Sequence, residues 1–260
     1  MANDCLITKL KGIVDNNNLP KLGEFQIQVP VGMTNIPAST ACYVAISMKT
    51  GNTAKVTSKN GTLRKTNGDI VSSITLDTVL STSPFYSSSA NDIIKVTNKY
   101  NFNNFLVNCS DVQDKPQFLI DFNQLKYSKL NRFELSGFAF NLELLLFDDL
   151  SFLESSIDTL TTFKVSNFGP NSLINIDLMD LASYTHLTDI NFSNSLCKSI
   201  DFKDFALAMI AAGRETATIT VGLSTSSNEE YKMYFDGVEK TTGFYTLSWT
   251  SSSNITMVAQ

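Results

Sequence analysis

The chain contains a single histidine, His186, so it offers one candidate for a histidine-based catalytic triad. No Gly-x-Ser-x-Gly pattern surrounds any serine, and His186 lies in a predicted turn between a helix and a strand. We interpret it as a surface or turn residue rather than a general base. The sequence also contains no glycine-rich phosphate loop and no calcium loop. We therefore predict no catalytic residue, no cofactor and no metal site.

Four cysteines could bind a metal or form a redox pair, but their spacing argues against both. They are Cys5, Cys42, Cys109 and Cys197. None has a partner at the short spacing of a zinc or dithiol motif. We predict that they are small buried thiols.

Four aspartates, each just before apolar residues at helical spacing, recur at intervals of 27, 29 and 24 residues. They are Asp121, Asp148, Asp177 and Asp201. A column of acidic calcium ligands or catalytic groups is one interpretation. One helix N-cap per unit explains the same period, because a carboxylate accepts hydrogen bonds from the free N–H groups of a helix start. We predict caps, and a glycosidase with separated carboxylates stays open because Asp and Glu number 25.

The composition excludes several classes of protein. Ser, Thr and Asn make up 79 of the 260 residues, whereas charged residues make up only 17%, and the net charge is −5. This balance argues against a nucleic-acid partner, which needs clustered Lys and Arg. We see no secretory signal peptide and no apolar run long enough for membrane insertion. We therefore expect synthesis in a reducing cytoplasm without a signal peptide.

Residues 1–100 follow a β-strand pattern. Alternation of period two occurs at Phe25–Val29 and at Cys42–Met48, and Asn-Gly turn signals occur at 60–61 and 67–68. No convincing helical period occurs in this part. We predict a β-rich domain over 1–100.

From residue 101 onward, an apolar template recurs at near-constant spacing. The template is an apolar residue, two variable residues, then apolar-x-apolar. Its clearest copies begin at Leu130, Leu160 and Leu187, with looser copies at Phe102 and Thr216. These starts are 28, 30, 27 and 29 residues apart. The pattern predicts units of a short strand, a turn and a helix, although an ordinary α/β domain with accidental spacing is the alternative.

Residues 102–223 resemble a degenerate leucine-rich repeat, most clearly in LTTFKVSN at 160–167 and LTDINFSN at 187–194. The family's regular asparagine is replaced by Phe138, Phe168 and Ser195. The resemblance therefore implies an irregular solenoid over 101–223. The tail at 224–260 returns to a β pattern and predicts a hairpin cap, with Trp249 in the core or cap. The predicted fold class is thus α/β and β: a β domain, a leucine-rich-repeat-like solenoid and a C-terminal β-hairpin cap.

In such repeat strands, the residues between the inward apolar positions form an exposed face. This candidate binding face is polar, of mixed charge and poor in aromatic residues. Its members are Arg132, Glu134, Lys164, Ser166, Asp189, Asn191 and Ser193. Stacked strands suit the recognition of a macromolecule, and a solvated surface without a ligand is the alternative.

A second resemblance lies in residues 5–23, CLITKLKGIVDNNNLPKLG. This segment resembles an N-terminal segment of virion proteins of the crAss-like phages that infect Bacteroides. The resemblance implies an attachment role for the segment and a location in the virion. The apolar residues expected to make the attachment are Leu6, Leu10, Ile13, Leu19 and Leu22.

The first hypothesis is a non-enzymatic phage structural protein, a head fibre or capsid decoration that contacts the host surface. Its expected partners are capsid or fibre-base proteins, and we expect a symmetric homo-oligomer such as a trimer. One alternative is a tail-associated or non-virion leucine-rich-repeat module that binds a host protein or glycan. A third hypothesis is a glycan depolymerase.

Overall fold

The structure is a computed structural model. It describes residues 22–32, 43–80, 84–109, 117–137, 145–146, 150–166, 178–193, 199–223, 232–251 and 254–260. Within these ranges, no helix is both long enough and apolar enough to cross a membrane.

Strands dominate the described residues. In the first half they are β1 (Phe25–Val31), β2 (Tyr43–Met48), β3 (Ala54–Ser58), β4 (Leu63–Lys65), β5 (Ile74–Leu76), β6 (Phe85–Ser87), β7 (Asp92–Val96), β8 (Phe102–Cys109) and β9 (Gln117–Asp121). In the second half they are β10 (Arg132–Gly137), β11 (Leu145–Leu146), β12 (Thr162–Ser166), β13 (Asp189–Asn191), β14 (Ile200–Asp201), β15 (Ala217–Leu223), β16 (Met233–Phe235), β17 (Val238–Lys240), β18 (Gly243–Trp249) and β19 (Ile255–Ala259). The α-helix described is α1 (Phe202–Ala211), and the 3-10 helices are Lys99–Asn101, Phe122–Leu125, Ser151–Ser156 and Leu178–Ser183.

The predicted fold class is wrong, because the protein is mostly β rather than an α/β solenoid of leucine-rich repeats. Most of the strands belong to one mixed sheet of ten, in the order β19-β18-β15-β13-β12-β10-β8-β2-β6-β4. The connections expected to be α-helices contain short 3-10 helices at Phe122–Leu125, Ser151–Ser156 and Leu178–Ser183. Their Ser, Asn and Asp side chains compete for backbone hydrogen bonds and favour turns over longer helices.

The near-constant spacing of the apolar template arises because five neighbouring strands pair in parallel, one after another. Phe105, Phe133, Phe163, Ile190 and Val221 lie side by side on β8, β10, β12, β13 and β15. Successive members of this row are 28, 30, 27 and 31 residues apart. Because side chains alternate along a strand, the two apolar positions of the apolar-x-apolar part of each copy lie on the same, buried side of the sheet.

A row of phenylalanines fills the core beneath these strands. The Phe133 ring stacks on Phe105, with centroids 6.0 Å apart, and on Phe163, with centroids 5.7 Å apart. From the opposite layer, Phe122 and Phe152 approach the same ring to 5.4 and 5.1 Å. Offset-stacked and edge-on arrangements of this kind are favourable beyond the area that they bury. Phe133 is therefore at the centre of the core.

Serine hydroxyls link consecutive turns of the chain. The Ser128 Oγ donates to the Lys99 carbonyl oxygen over 2.8 Å. One turn later, the Ser156 Oγ donates to the Ser128 carbonyl oxygen over 3.0 Å and accepts from the Leu130 N–H over 2.9 Å. These bonds satisfy backbone groups that would otherwise be buried without a partner.

A second sheet of six strands, in the order β11-β9-β1-β7-β3-β5, contributes to the same core. From β1, the Phe25 ring meets Phe102 and Phe105 edge-on, at centroid distances of 5.9 and 5.4 Å. In addition, β2 from the predicted 1–100 domain pairs antiparallel with β8. The core is thus continuous across residue 100. The domain boundaries at 100 and 223 stay predictions.

The tail strands β18 and β19 extend the large sheet beside β15, the last of its parallel strands. β18 pairs antiparallel with β15, and β19 pairs antiparallel with β18. Trp249, at the end of β18, is buried as predicted, and its Nε1–H donates to the Arg214 carbonyl oxygen over 2.9 Å. The remaining strands β14, β16 and β17 form a small third sheet beside α1.

Candidate binding face of the ten-stranded sheet

Five of the seven residues predicted for the binding face lie together on the outward side of the ten-stranded sheet. We call this side of β10, β12, β13, β15 and β18 the outer face. Its first cross-strand row is Arg132, Thr162, Asp189, Thr220 and Thr246, and its second row is Glu134, Lys164, Asn191, Gly222 and Phe244. Neighbouring strands are about 4.8 Å apart, so each row spans about 19 Å.

The charged side chains of the outer face pair with one another. The Arg132 guanidinium binds the Glu134 carboxylate, with Nε 2.9 Å from Oε2. The Lys164 Nζ lies 2.5 Å from the Asp189 Oδ2. These ion pairs fix the positions of four charged side chains. Together the four side chains contribute no net charge to the outer face. It is therefore a polar surface rather than an electrostatic trap for a charged ligand.

Asn191, Gly222 and Phe244 form the most distinctive part of the outer face. The Asn191 Oδ1 accepts hydrogen bonds from the Ser193 N–H over 2.8 Å and from the Ser193 Oγ over 2.6 Å. A methyl group at Gly222 would lie 2.8 Å from the Asn191 Cγ and 3.0 Å from the Phe244 Cε1. The glycine therefore allows the amide and the ring to approach each other. The Phe244 side chain remains 49% exposed.

Two groups of predicted site residues stand apart from this arrangement. Ser166, at the end of β12, is only 6% exposed, and its hydroxyl bonds to that of Ser136, so it is not part of the exposed surface. Leu22 is the only predicted attachment residue that the structure describes, and its side chain is 95% exposed. The others lie outside the described residues: Leu6, Leu10, Ile13 and Leu19.

The aspartates at 121 and 201 act as caps, as predicted. The Asp121 Oδ1 accepts from the Asn123 N–H over 3.0 Å at the start of a 3-10 helix. The Asp201 Oδ1 accepts from the Lys203 N–H over 2.9 Å at the start of α1. Asp148 and Asp177 lie outside the described residues, as do Cys5, Cys42 and Cys197.

Two groups with acid–base potential, Tyr184 and His186, lie in the segment that precedes β13. His186 lies in an exposed turn, as predicted. Burial, together with the negative charges of Asp180 and Glu154, raises the pKa of Tyr184 to about 12, so its hydroxyl stays protonated near neutral pH. No set of three or more His, Cys, Asp and Glu residues within these ranges is placed to hold a metal ion.

Sequence reasoning missed two residues, Phe244 and Asp92. Alternation from Phe244 to Trp249 was a usable signal, because it places Phe244 on the side opposite Tyr245, Leu247 and Trp249. Asp92 is a buried carboxylate, 1% exposed, that accepts hydrogen bonds from three hydroxyls and two backbone N–H groups. Its partners are distant in sequence, and no local pattern indicates them.

Comparison of the chain with protein-family models, with curated proteins and with solved structures finds no match. The resemblances to leucine-rich repeats and to phage virion proteins gain no support from these comparisons. What remains is the geometry of the outer face: two polar rows on a broad sheet, with one exposed aromatic ring at one end. Such a surface can hold a ligand by hydrogen bonds and by contact with the ring.

Proposed function

We propose that this protein is a non-enzymatic structural component of a phage virion, a head fibre or capsid decoration, whose outer face binds a glycan of the host surface. The observation that carries the binding part of the proposal is the exposed Phe244 ring, held beside Asn191 at the end of a polar row. The virion part is supported by the resemblance of residues 5–23 to virion proteins and by the exposed Leu22 at the end of that segment.

The chemistry of the outer face suits a glycan better than a protein partner. Protein interfaces have a core of several buried aromatic or aliphatic side chains. In the two rows, Phe244 is the only large apolar side chain, and its neighbours offer hydroxyls, an amide and paired charges. An aromatic ring packs against the C–H face of a sugar, while polar side chains meet the sugar hydroxyls.

The carboxylates of the outer face favour binding over hydrolysis. A glycosidase needs one carboxyl group that gives a proton and a second carboxylate that acts across the same bond. Here Glu134 is held by Arg132, and Asp189 is held by Lys164. Each of these two carboxylates forms an ion pair with a basic side chain of the same face. We therefore propose adhesion rather than depolymerisation.

Replacing Phe244 with alanine should weaken binding of the full chain to its host-cell glycan at least about tenfold, because the stacking platform is lost. The measurement is binding of the purified protein to host cells and to their extracted surface polysaccharide. Since Phe244 is half exposed, the variant should keep the circular dichroism spectrum and melting temperature of the parent protein.

The matched control is Val238→Ala, which shortens an exposed apolar side chain on β17, away from the outer face. This variant should bind like the parent protein. Equal binding by the Phe244→Ala variant and the parent protein would show that the outer face is not the glycan-binding site. Release of reducing sugar from the polysaccharide would replace the adhesion proposal with an enzymatic one.

The virion part of the proposal has its own test, quantitative mass spectrometry of purified phage particles. A decoration or fibre is built from many symmetric copies, so we expect on the order of dozens of copies per particle. A handful of copies would favour the tail instead. Absence of the protein from particles would overturn the virion assignment without affecting the glycan measurement.

A further inference from the structure

β19 is an edge strand of the ten-stranded sheet, with β18 as its one partner among the described residues. The Gln260 N–H donates to the Phe244 carbonyl oxygen over 2.9 Å, which fixes the alternation of the antiparallel ladder. Val258 and Thr256 then point their backbone groups towards β18. The N–H and C=O groups of Ile255, Met257 and Ala259 point away from β18, in the direction of a further strand.

Among the residues that the structure describes, this edge has none of the usual protection against pairing. Proteins commonly protect an edge strand with charged residues, proline, a bulge or very short length. β19 has five residues, and residues 251–260 contain no charged residue and no proline. Val258 is 61% exposed, and Ile255 and Met257 are only partly covered by the core. The edge is thus apolar, uncharged and regular.

The opposite end of the same sheet is a poor partner for β19. β4 has only three residues and carries two positive charges, Arg64 and Lys65. Arg64 is also bridged to Ile70, which occupies part of that edge. Head-to-tail pairing of β19 with β4 would therefore join a five-residue uncharged edge to a three-residue positively charged edge. A second β19 has the same length, no charge and a complementary hydrogen-bond pattern.

We propose that β19 pairs antiparallel with β19 of a second copy of this chain. A two-fold axis beside Met257 would place this residue opposite its own copy and Ile255 opposite Ala259 of the second copy. All the outward backbone groups would then be paired, and Ile255 and Met257 would be covered. The two ten-stranded sheets would become one sheet across the axis.

This pairing goes beyond the proposed function and does not depend on glycan binding. Because the axis is perpendicular to the sheet, both outer faces would lie on the same side of the joined sheet. Two Phe244 platforms would then face one surface together, and a bivalent protein binds a multivalent surface more tightly than either site alone. The assembly would be a closed dimer rather than the trimer expected from the sequence.

The test is the molar mass of the full chain by light scattering over a range of protein concentrations. We expect twice the chain mass of 28.7 kDa. In the Met257→Pro variant, proline removes an N–H that points away from β18, so the ladder within the chain is kept. Val258→Lys places a charge on each side of the axis. Both variants should raise the dimer dissociation constant at least about tenfold. At low protein concentration, their melting temperatures should be close to that of the parent protein.

The control is Val238→Lys, which adds the same charge at an exposed valine of β17 and should remain dimeric. If Met257→Pro unfolds, Val258→Lys decides the question. A parent protein that is monomeric at all concentrations, or that has three times the chain mass, would overturn the proposal. So would a dimer that is equally tight in Val258→Lys. A parent protein that forms the dimer but does not bind the glycan would contradict only the proposed function.

Discussion

Replacing Phe133 with alanine is expected to lower the free energy of unfolding by about 4 kcal/mol. The ring is fully buried and contacts four other rings, those of Phe105, Phe122, Phe152 and Phe163. All four neighbours belong to other strands or turns of the same core, so the cavity cannot close without moving several elements. Urea-induced unfolding of the parent and variant proteins measures this loss.

Phe244→Ala is the matched control for this experiment, because it removes the same atoms from an exposed position on the same sheet. We expect a loss below about 1 kcal/mol for this variant. A loss below about 1.5 kcal/mol for Phe133→Ala would mean that the row of phenylalanines does not hold the sheet together. The slope of the transition should be the same in all three proteins, so that midpoints can be compared.

Replacing Asp92 with asparagine is expected to lower the free energy of unfolding at pH 7 by about 3 kcal/mol. The Asp92 Oδ2 accepts from the Ser58 Oγ over 2.5 Å and from the Thr62 Oγ1 over 3.1 Å. The Oδ1 accepts from the backbone N–H groups of Asn60 and Ile93 over 2.9 and 2.8 Å. Hydrogen bonds to a charged group are stronger than neutral ones, and the amide cannot replace all of them.

The same carboxylate makes the stability of the protein depend on pH. Burial on its own would raise the pKa of Asp92, but hydrogen bonds from Ser58, Ser87, Asn60 and Ile93 outweigh it and hold the pKa below its usual value. A carboxyl group with a lowered pKa in the folded state stabilises the protein fully above its unfolded value of about 3.9. This contribution is lost as the pH falls through the lowered pKa.

The measurement is the free energy of unfolding between pH 7 and pH 2 for the parent protein and the Asp92→Asn variant. The two curves should be parallel from pH 7 to about pH 5 and converge below about pH 4, because only the parent protein loses this stabilisation in acid. Asp158→Asn, at an exposed position, should follow the parent curve. Curves for Asp92→Asn and the parent that stay parallel down to pH 2 would contradict the expectation.

The inward positions of the parallel strands could be predicted from the sequence, but the fold class could not. Leu135 and Val165 are buried in register, as the apolar template requires. The template does not distinguish a 3-10 helix from an α-helix in the connections, because both have an apolar residue every three or four positions. Nor does it reveal antiparallel partners such as β2 and β8, where Ser47 and Asn104 bond across 57 residues.

Part of the candidate binding face could also be predicted from the sequence. Arg132, Lys164 and Asp189 lie where strand alternation puts them, because that rule depends only on local geometry. The prediction that Ser166 is exposed was wrong, because burial at the end of a strand depends on which segments cover it. Alternation indicates the side of β18 on which Phe244 lies, but its place next to Gly222 follows from the pairing of β18 with β15, a long-range contact.

The order of strands in the large sheet has a consequence for synthesis on the ribosome. From β8 through β10, β12, β13, β15 and β18 to β19, each strand pairs with the one before it in this series. A chain that emerges from its N-terminus can therefore add each strand to an existing edge soon after the strand leaves the exit tunnel. At every stage of this growth, a single new edge is open to neighbouring nascent chains, and β19 forms the last one.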